Sequence, residues 1–232
     1  HECVLVVGAE KMTHEDRIRT FKAFESGLDV ELYAEELNSR DHSHSVFMDV
    51  YAQNAKKFMN RTGITQKHLA MISAKNHTNG SLNPYAQYQK AQTVEDVLAS
   101  RLIVDPFTKL MCSPVSDGAA AMILCTESYG KKLTTKPITV ASSIVRSSKK
   151  NRGAGEGVIE RASRAAYEEA GIGPFDLDLV EVHDAAASAE IIAYEELGLC
   201  TSGDVLKFVE EQKTHLNGLI PVNASGGLEA KG

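Results

Sequence analysis

Cysteine is scarce and unpatterned in this chain. Cys3, Cys112, Cys125 and Cys200 are the four in 232 residues, and none has CxxC spacing. That argues against a zinc knuckle and against a disulfide framework. Positive charge is short as well: the formal net charge is -6, so a nucleic-acid surface is excluded as a main function. No apolar run approaches the roughly 20 residues that a membrane helix requires. The stretch Val4 to Ala9 is too short for the apolar core of a signal peptide. No internal repeat is visible. A reducing compartment, by default the cytoplasm, is the expected location.

What is present is a 43% apolar chain, long enough to bury a sizeable core as one large domain or two small ones. Cys3 to Ala9 and Gly118 to Thr126 are almost continuously apolar, as strands covered by helices on both faces are. Between them lies a more polar stretch, Lys11 to Ser116, rich in His and Asn. It reads as a large insertion between two strands. Within it Phe47, Val50, Tyr51 and Phe58 share one face of a helix expected over Val46 to Asn60, with Gly63 as its stop. Lys136 to Ile144 opens a second block. There Val158, Ile159, Ala162, Ala165, Ala166 and Ala170 recur at helical spacing before Gly171, and Pro174 bars continuation. Alternating strands and helices predict an α/β fold.

Later in the chain a strand-like run, Leu177 to Val182, delivers His183 and Asp184 to the start of a helical pattern. Asp184 reads as the N-cap of a helix beginning at Ala185 or Ala186. Taken by itself, His183 has two readings. It either ends a strand and bonds a backbone carbonyl, or it presents a neutral N–H donor at a helix N-terminus, where the dipole disfavours imidazolium. Further on, VNASGG (Val222 to Gly227) pairs Asn223, whose amide can tie a loop, with Gly226 and Gly227, which permit positive φ.

Other features carry less. RGAGEG (Arg152 to Gly157) follows a basic run, not a strand, so a dinucleotide fingerprint is not indicated. Lys149, Lys150 and Arg152 offer charge for coenzyme phosphates. His42 and His44 lack a third spaced ligand, and no metal site is expected. Cys125, inside an apolar strand, is expected to be inert packing. Cys112 and Cys200 fall at loop positions and follow no strand-to-helix elbow, so neither is chosen as a nucleophile.

CVLVVGAEKM (Cys3 to Met12), NPYAQY (Asn83 to Tyr88), CSPVSDGAAAMIL (Cys112 to Leu124), EELGLC (Glu195 to Cys200) and VNASGG stand in an order that resembles the thiolase superfamily. The likeness is to the sterol carrier protein X type. It implies a layered α/β/α/β/α fold with mixed sheets, incomplete in this chain. The implied segments are residues 1–13 ending the N-terminal half, 14–115 as the loop domain, 116–134 as the last strand and helix of that half, and 135–232 opening the C-terminal half.

The resemblance also implies an acyl-CoA thiolase: thiolytic cleavage of a β-ketoacyl-CoA by coenzyme A through a cysteine acyl-enzyme, with coenzyme A as substrate and no cofactor. The implied nucleophile lies upstream of His1 and a Gly-His-Pro loop lies beyond Gly232, so the chain is expected to belong to a longer polypeptide and to be inactive alone. Within it, His183 is the implied catalytic donor, Asn223, Gly226 and Gly227 the active-site loop, and Asn83, Tyr85 and Gln87 lining of the acyl pocket. One departure stands out, because the family box carries an acid/base cysteine where this chain has Ala185. Retro-aldol cleavage of a β-hydroxyacyl-CoA, or a non-catalytic acyl-CoA-binding or scaffold role, are the alternatives. The implied partners are a second copy, as a homodimer, and a small zinc-ribbon/OB-fold acyl-CoA-binding subunit.

Overall fold

The computed structural model describes residues 1–29, 31, 43–134, 136–147 and 157–232. Its longest sheet is an antiparallel ribbon of β1 (Cys3–Lys11) and β4 (Asp117–Cys125), running from Cys3 opposite Cys125 to Lys11 opposite Asp117. Asp117 closes one end, accepting from Lys11 Nζ at 2.7 Å and from the main-chain amides of Met12 and Thr13 at 2.8 Å each. The two strands were expected from their apolar runs, but covered. Both are exposed along their whole length, and Cys125 with them, so that cysteine is not core packing. Thr126 leaves the strand to cap α5 (Glu127–Leu133).

The insertion between the ribbon strands supplies much of the core. After α1 (Arg17–Glu25), α2 (Val46–Thr62) matches the amphipathic expectation. Ser45 caps it through its hydroxyl, and Gly63 ends it at φ 79° with its amide on Met59 O. Val46, Ala52, Ala55 and Phe58 are its buried residues; Phe47, Val50 and Tyr51 are half-buried. Next comes α3 (Gln66–Ser81), then α4 (Val94–Ala99) and a small sheet of β2 (Leu102–Val104) and β3 (Phe107–Thr108). A 3-10 turn, Lys109–Met111, follows.

The second block contributes α6 (Val158–Ala170), which ends as expected at Gly171 in the left-handed region, φ 71°. Pro174 opens a 3-10 turn to Asp176. Then come α7 (Ala187–Glu196), α8 (Val205–Glu210) and α9 (Gly227–Lys231). Helix α3 sits at the centre and packs against α4, α7, α8, α9 and the 109–111 turn. Leu69, Ile72, Phe107, Met111, Ile191, Tyr194, Val205 and Val222 are fully buried around it.

Two local expectations are corrected. Leu177 to Val182 is not a strand: only Val180 bridges, in parallel, to Val222. The Val182 amide, which would continue the ladder, instead donates to the Asn223 side chain at 2.9 Å. Helix α7 begins at Ala187 with Ala186 as N-cap and no side-chain cap; Asp184 is engaged elsewhere. Lys136 to Ile144, which opens the second block, is mostly exposed. The α/β class itself stands.

Ile72→Ala should lower the unfolding free energy by about 2–5 kcal/mol, because a fully buried side chain would leave a cavity. Gly63→Ala should cost about 1 kcal/mol through its positive φ alone. Urea titrations check both.

Candidate active site

The site grows from a buried ion pair. Lys75 on α3 and Glu190 on α7 meet at 2.6 Å, with side chains 1% and 0% exposed. Such a pair survives burial only if its remaining donors and acceptors are met, and here they are. Lys75 Nζ also donates to Val222 O at 2.5 Å. Glu190 accepts from Asn76 Nδ2 at 2.7 Å, from Asn223 Nδ2 at 2.8 Å and from the Tyr194 hydroxyl. Burial, then the Glu190 charge, holds the Tyr194 phenol well above its usual range. Thr214 Oγ1 lies 3.0 Å from that hydroxyl.

This pair fixes Asn223. Its backbone adopts φ 53°, its amide donates to Val180 O at 2.8 Å, and its carbonyl accepts from Asn79 Nδ2 at 3.0 Å. Gly226 follows at φ 101° and lies against Gly80, where a Cβ would meet the Gly80 Cα at 2.6 Å. Gly227, at φ 61°, faces Asp184 so closely that any Cβ would run into the carboxylate. Both glycines are therefore required by the backbone path and by the close approach.

Asp184 is the second clamp. It is fully buried and accepts the Leu228 amide at 2.6 Å and Asn76 Nδ2 at 3.0 Å. The aspartate expected to cap its own helix thus caps the first turn of α9. Burial, then the nearby Glu190, pushes its carboxyl up to about 7. Glu229, one residue beyond Leu228, is also fully buried. Burial, then Asp184, holds it well above the usual carboxylate range.

His183 lies between these two ties. On one side Val182 is stitched to Asn223, and on the other Asp184 is stitched to Leu228. The imidazole itself is exposed and makes no hydrogen bond to a described residue. It is not at a helix N-terminus, since α7 starts at Ala187. Ala185 O accepts from Ser113 N at 3.0 Å, and Ala186 bridges to Cys112. The box, the 222–228 turn and the CSP segment are thereby brought together.

Of the three pocket candidates, Asn83 joins this assembly: its Nδ2 donates to Ser225 O at 3.0 Å, while its Oδ1 accepts from Tyr85 N. Tyr85 is 92% exposed and Gln87 is exposed; neither side chain reaches the turn. Glu181 binds the Ser225 amide and hydroxyl from outside, at 2.8 and 2.7 Å. A separate cleft of about 220 Å³, lined by Lys75, Asn79, Gln212 and His215 among others, includes neither His183 nor the glycines.

Two of the cysteines are shifted alike. Burial, with Glu229 beside it, pushes the Cys112 thiol up to about 12, and burial with Glu195 and Asp204 does the same for Cys200. Neither is a thiolate at neutral pH, in keeping with their rejection as nucleophiles. His44 pairs with Asp49 at 2.8 Å, and no metal-binding group of His, Cys, Asp or Glu occurs among the described residues. His42, Lys149, Lys150 and Arg152 lie outside the described residues. No described helix is long and apolar enough to cross a membrane.

Lys75, Asn76, Glu190 and Glu229 were not singled out from the sequence. A signal existed for Glu190: it shares a helical face with Ala187, Ile191 and Tyr194, all buried, and a lone carboxylate on an apolar face demands a partner.

The family model described as Thiolase, N-terminal domain matches residues 1–128, and that described as Thiolase C-terminal domain-like matches 142–232. The chain is 40% identical over 193 residues to the benzoylsuccinyl-CoA thiolase subunit BbsB of Thauera aromatica, covering 81% of this chain and 50% of that protein. It is 37% identical to an acetyl-CoA acetyltransferase of Methanothermobacter thermautotrophicus, over 100% of this chain and 60% of that one. With sterol carrier protein 2 of Bos taurus the identity is 34%, covering 100% and 44%. The chain thus spans about half the length of the curated relatives it matches. Among solved structures, the Ltp2-ChsH2(DUF35) aldolase superposes with a TM-score of 0.82 at 22% identity, over 99% of this chain and 60% of that one. A monomeric SCP2-thiolase like protein from Mycobacterium smegmatis gives 0.60 at 18%, over 100% and 46%.

Lys75→Met should cost about 3–5 kcal/mol, since it leaves the Glu190 carboxylate buried without its cation; chemical denaturation measures this. Native-state alkylation read by mass spectrometry should modify the exposed Cys3 and Cys125 well before Cys112 and Cys200.

Proposed function

This chain belongs to the thiolase superfamily, in the branch of sterol carrier protein 2, and from that premise we propose that the full-length protein cleaves a β-ketoacyl-CoA with coenzyme A. The observation that carries the proposal is the imidazole of His183, exposed and without a hydrogen-bond partner among the described residues, on a segment held by two ties to the glycine turn. An N–H donor fixed at a site where thioester oxygens gain negative charge lowers the barrier by about 3–4 kcal/mol. Support for the substrate class comes from the relatives, which are named as an acetyl-CoA acetyltransferase and a benzoylsuccinyl-CoA thiolase subunit.

In this reading a cysteine thiolate outside these residues attacks the 3-keto carbon. The bond between the α and β carbons breaks, and its electron pair passes to the thioester as an enolate. His183 donates to the enolate oxygen, and the α carbon takes up a proton as the shortened acyl-CoA forms. The thiol of coenzyme A then takes the acyl group from the cysteine, giving up its own proton and restoring the thiolate. Asn223, Gly226 and Gly227 shape the facing wall, and Asn83 braces it through Ser225. Tyr85 and Gln87, being exposed, would touch only the outer part of an acyl chain or the coenzyme.

A second reading is favoured by one residue. Ala185 cannot move a proton, and general acid/base groups contribute about 100- to 10,000-fold. Retro-aldol cleavage of a β-hydroxyacyl-CoA needs no cysteine nucleophile, and its products are an aldehyde or ketone plus an acyl-CoA. The proposed assembly is a homodimer of the full-length chain, with a small acyl-CoA-binding subunit as a further partner. Light scattering giving a monomer across a wide concentration range would refute the dimer.

The deciding assay supplies the full-length protein with a β-ketoacyl-CoA and coenzyme A and measures the shortened acyl-CoA. His183→Ala should reduce turnover by about 100-fold or more while the unfolding curve stays that of the wild type. Undiminished turnover in the folded variant would remove His183 from the reaction. Aldehyde or ketone release from the β-hydroxy substrate, without thiolysis, would select the second reading.

A further inference from the structure

Three carboxyl groups, Asp184, Glu190 and Glu229, are buried around one lysine, Lys75. Their donors are unequally shared. Glu190 has Lys75, Asn76, Asn223 and Tyr194, a supply that suits a full carboxylate. Asp184 has the Leu228 amide and Asn76. Glu229 has the least: neither carboxyl oxygen makes a well-formed hydrogen bond, and the one donor beside it is the equally buried Ser73 hydroxyl. An ionised carboxylate in such a place would carry a large desolvation penalty, with only that hydroxyl and the already committed Lys75 charge to set against it.

We propose that Glu229 is a positioning residue that works as a neutral carboxylic acid behind Asp184, and that loss of its proton loosens the 226–228 turn from the His183 box. The geometry gives the reason. The first turn of α9 carries both the Leu228 amide that binds Asp184 and, one residue on, the Glu229 carboxyl. A neutral Glu229 leaves the amide free to hold Asp184. An ionised one sets a second negative charge against Asp184 on the same short element, and the repulsion acts on the tie that places His183. The role for His183 rests on the proposed thioester site; the protonation of Glu229 does not.

The charged and titratable groups facing the pair come from every packed element. They are Tyr51 on α2, Lys75 on α3, Cys112 after the 109–111 turn and Glu190 on α7. Lys75 is already committed to Glu190 and Val222 O and does not neutralise Glu229. Burial raises both Glu229 and Asp184, so the sign is fixed. Their contribution to stability is fully present below the unfolded carboxylate range, about pH 4, and is lost as pH rises through the folded values, about 7 for Asp184 and well above the usual carboxylate range for Glu229.

The test is thermal unfolding of the full-length protein from about pH 5 to about pH 9, for the wild type and Glu229→Gln. The wild-type midpoint should fall by about 5 °C or more across this range. Glu229→Gln, neutral at every pH and of the same shape, should fall less and should overtake the wild type at the alkaline end. Thiolysis measured in parallel should persist to higher pH in Glu229→Gln than in the wild type. Parallel unfolding profiles for the two proteins would overturn the proposal. Should the variant not fold, the infrared spectrum of the wild type decides: a buried protonated-carboxyl band near neutral pH that bleaches on raising the pH supports it, and its absence overturns it. Separated unfolding profiles without thiolysis in either protein would uphold the acid and refute the thioester reading instead.

Discussion

The Lys75–Glu190 ion pair is the constraint on which the rest of this structure depends. A charge pair with neither member exposed has lost its hydration, and only a complete set of hydrogen bonds makes that tolerable. Meeting that requirement draws in Asn76 from the same helix, Tyr194 one turn further along α7, and Val222 and Asn223 from a distant loop. Helices α3 and α7 could pack on Leu69, Ile72 and Ile191 alone. The ion pair adds register: it fixes where the 222–228 loop must cross.

From that fixed point the loop has little freedom. Asn223 must adopt a left-handed backbone to present its amide to Glu190 and its carbonyl to Asn79. The chain then passes over Gly80 and under Asp184, at distances that leave no room for a Cβ at Gly226 or Gly227. Rigidity on the buried side leaves the opposite side open. His183 is bounded by the Val182 amide, tied to Asn223, and by the Asp184 carboxylate, tied to Leu228, yet its ring is spent on neither. A donor that is fixed in place but unspent is what a site for a developing oxyanion requires.

Much of the fold was legible because local signals and the final packing agree. Helix α2 obeys its apolar face and its Gly63 stop, and α6 ends at Gly171 as its spacing predicts. Of the stretches that carry the resemblance to thiolases, the structure gathers Asn83, the CSP segment and the glycine turn around the His183 box, while Cys3 to Met12 lies in the exposed ribbon. What misled was single-residue logic. Asp184 stands where a cap belongs, but the Leu228 amide, many residues away, has the stronger claim on it. Leu177 to Val182 has the composition of a strand, yet the Asn223 side chain takes the bond that would extend the ladder. The apolar ribbon strands promised burial on both faces and are exposed on both. Lys75 and Glu190 leave no signal as a pair, because pairing across more than a hundred residues makes no local pattern.

The central claim is that the His183 box and the glycine turn form one thioester site. A crystal structure of the full-length protein with a non-cleavable acyl-CoA analogue tests it most directly. The imidazole of His183 should lie within about 3 Å of the oxygen that mimics the thioester carbonyl, with the 226–227 turn on the facing side. An analogue seated instead in the cleft beside Lys75, Gln212 and His215, with His183 still in solvent, would contradict it.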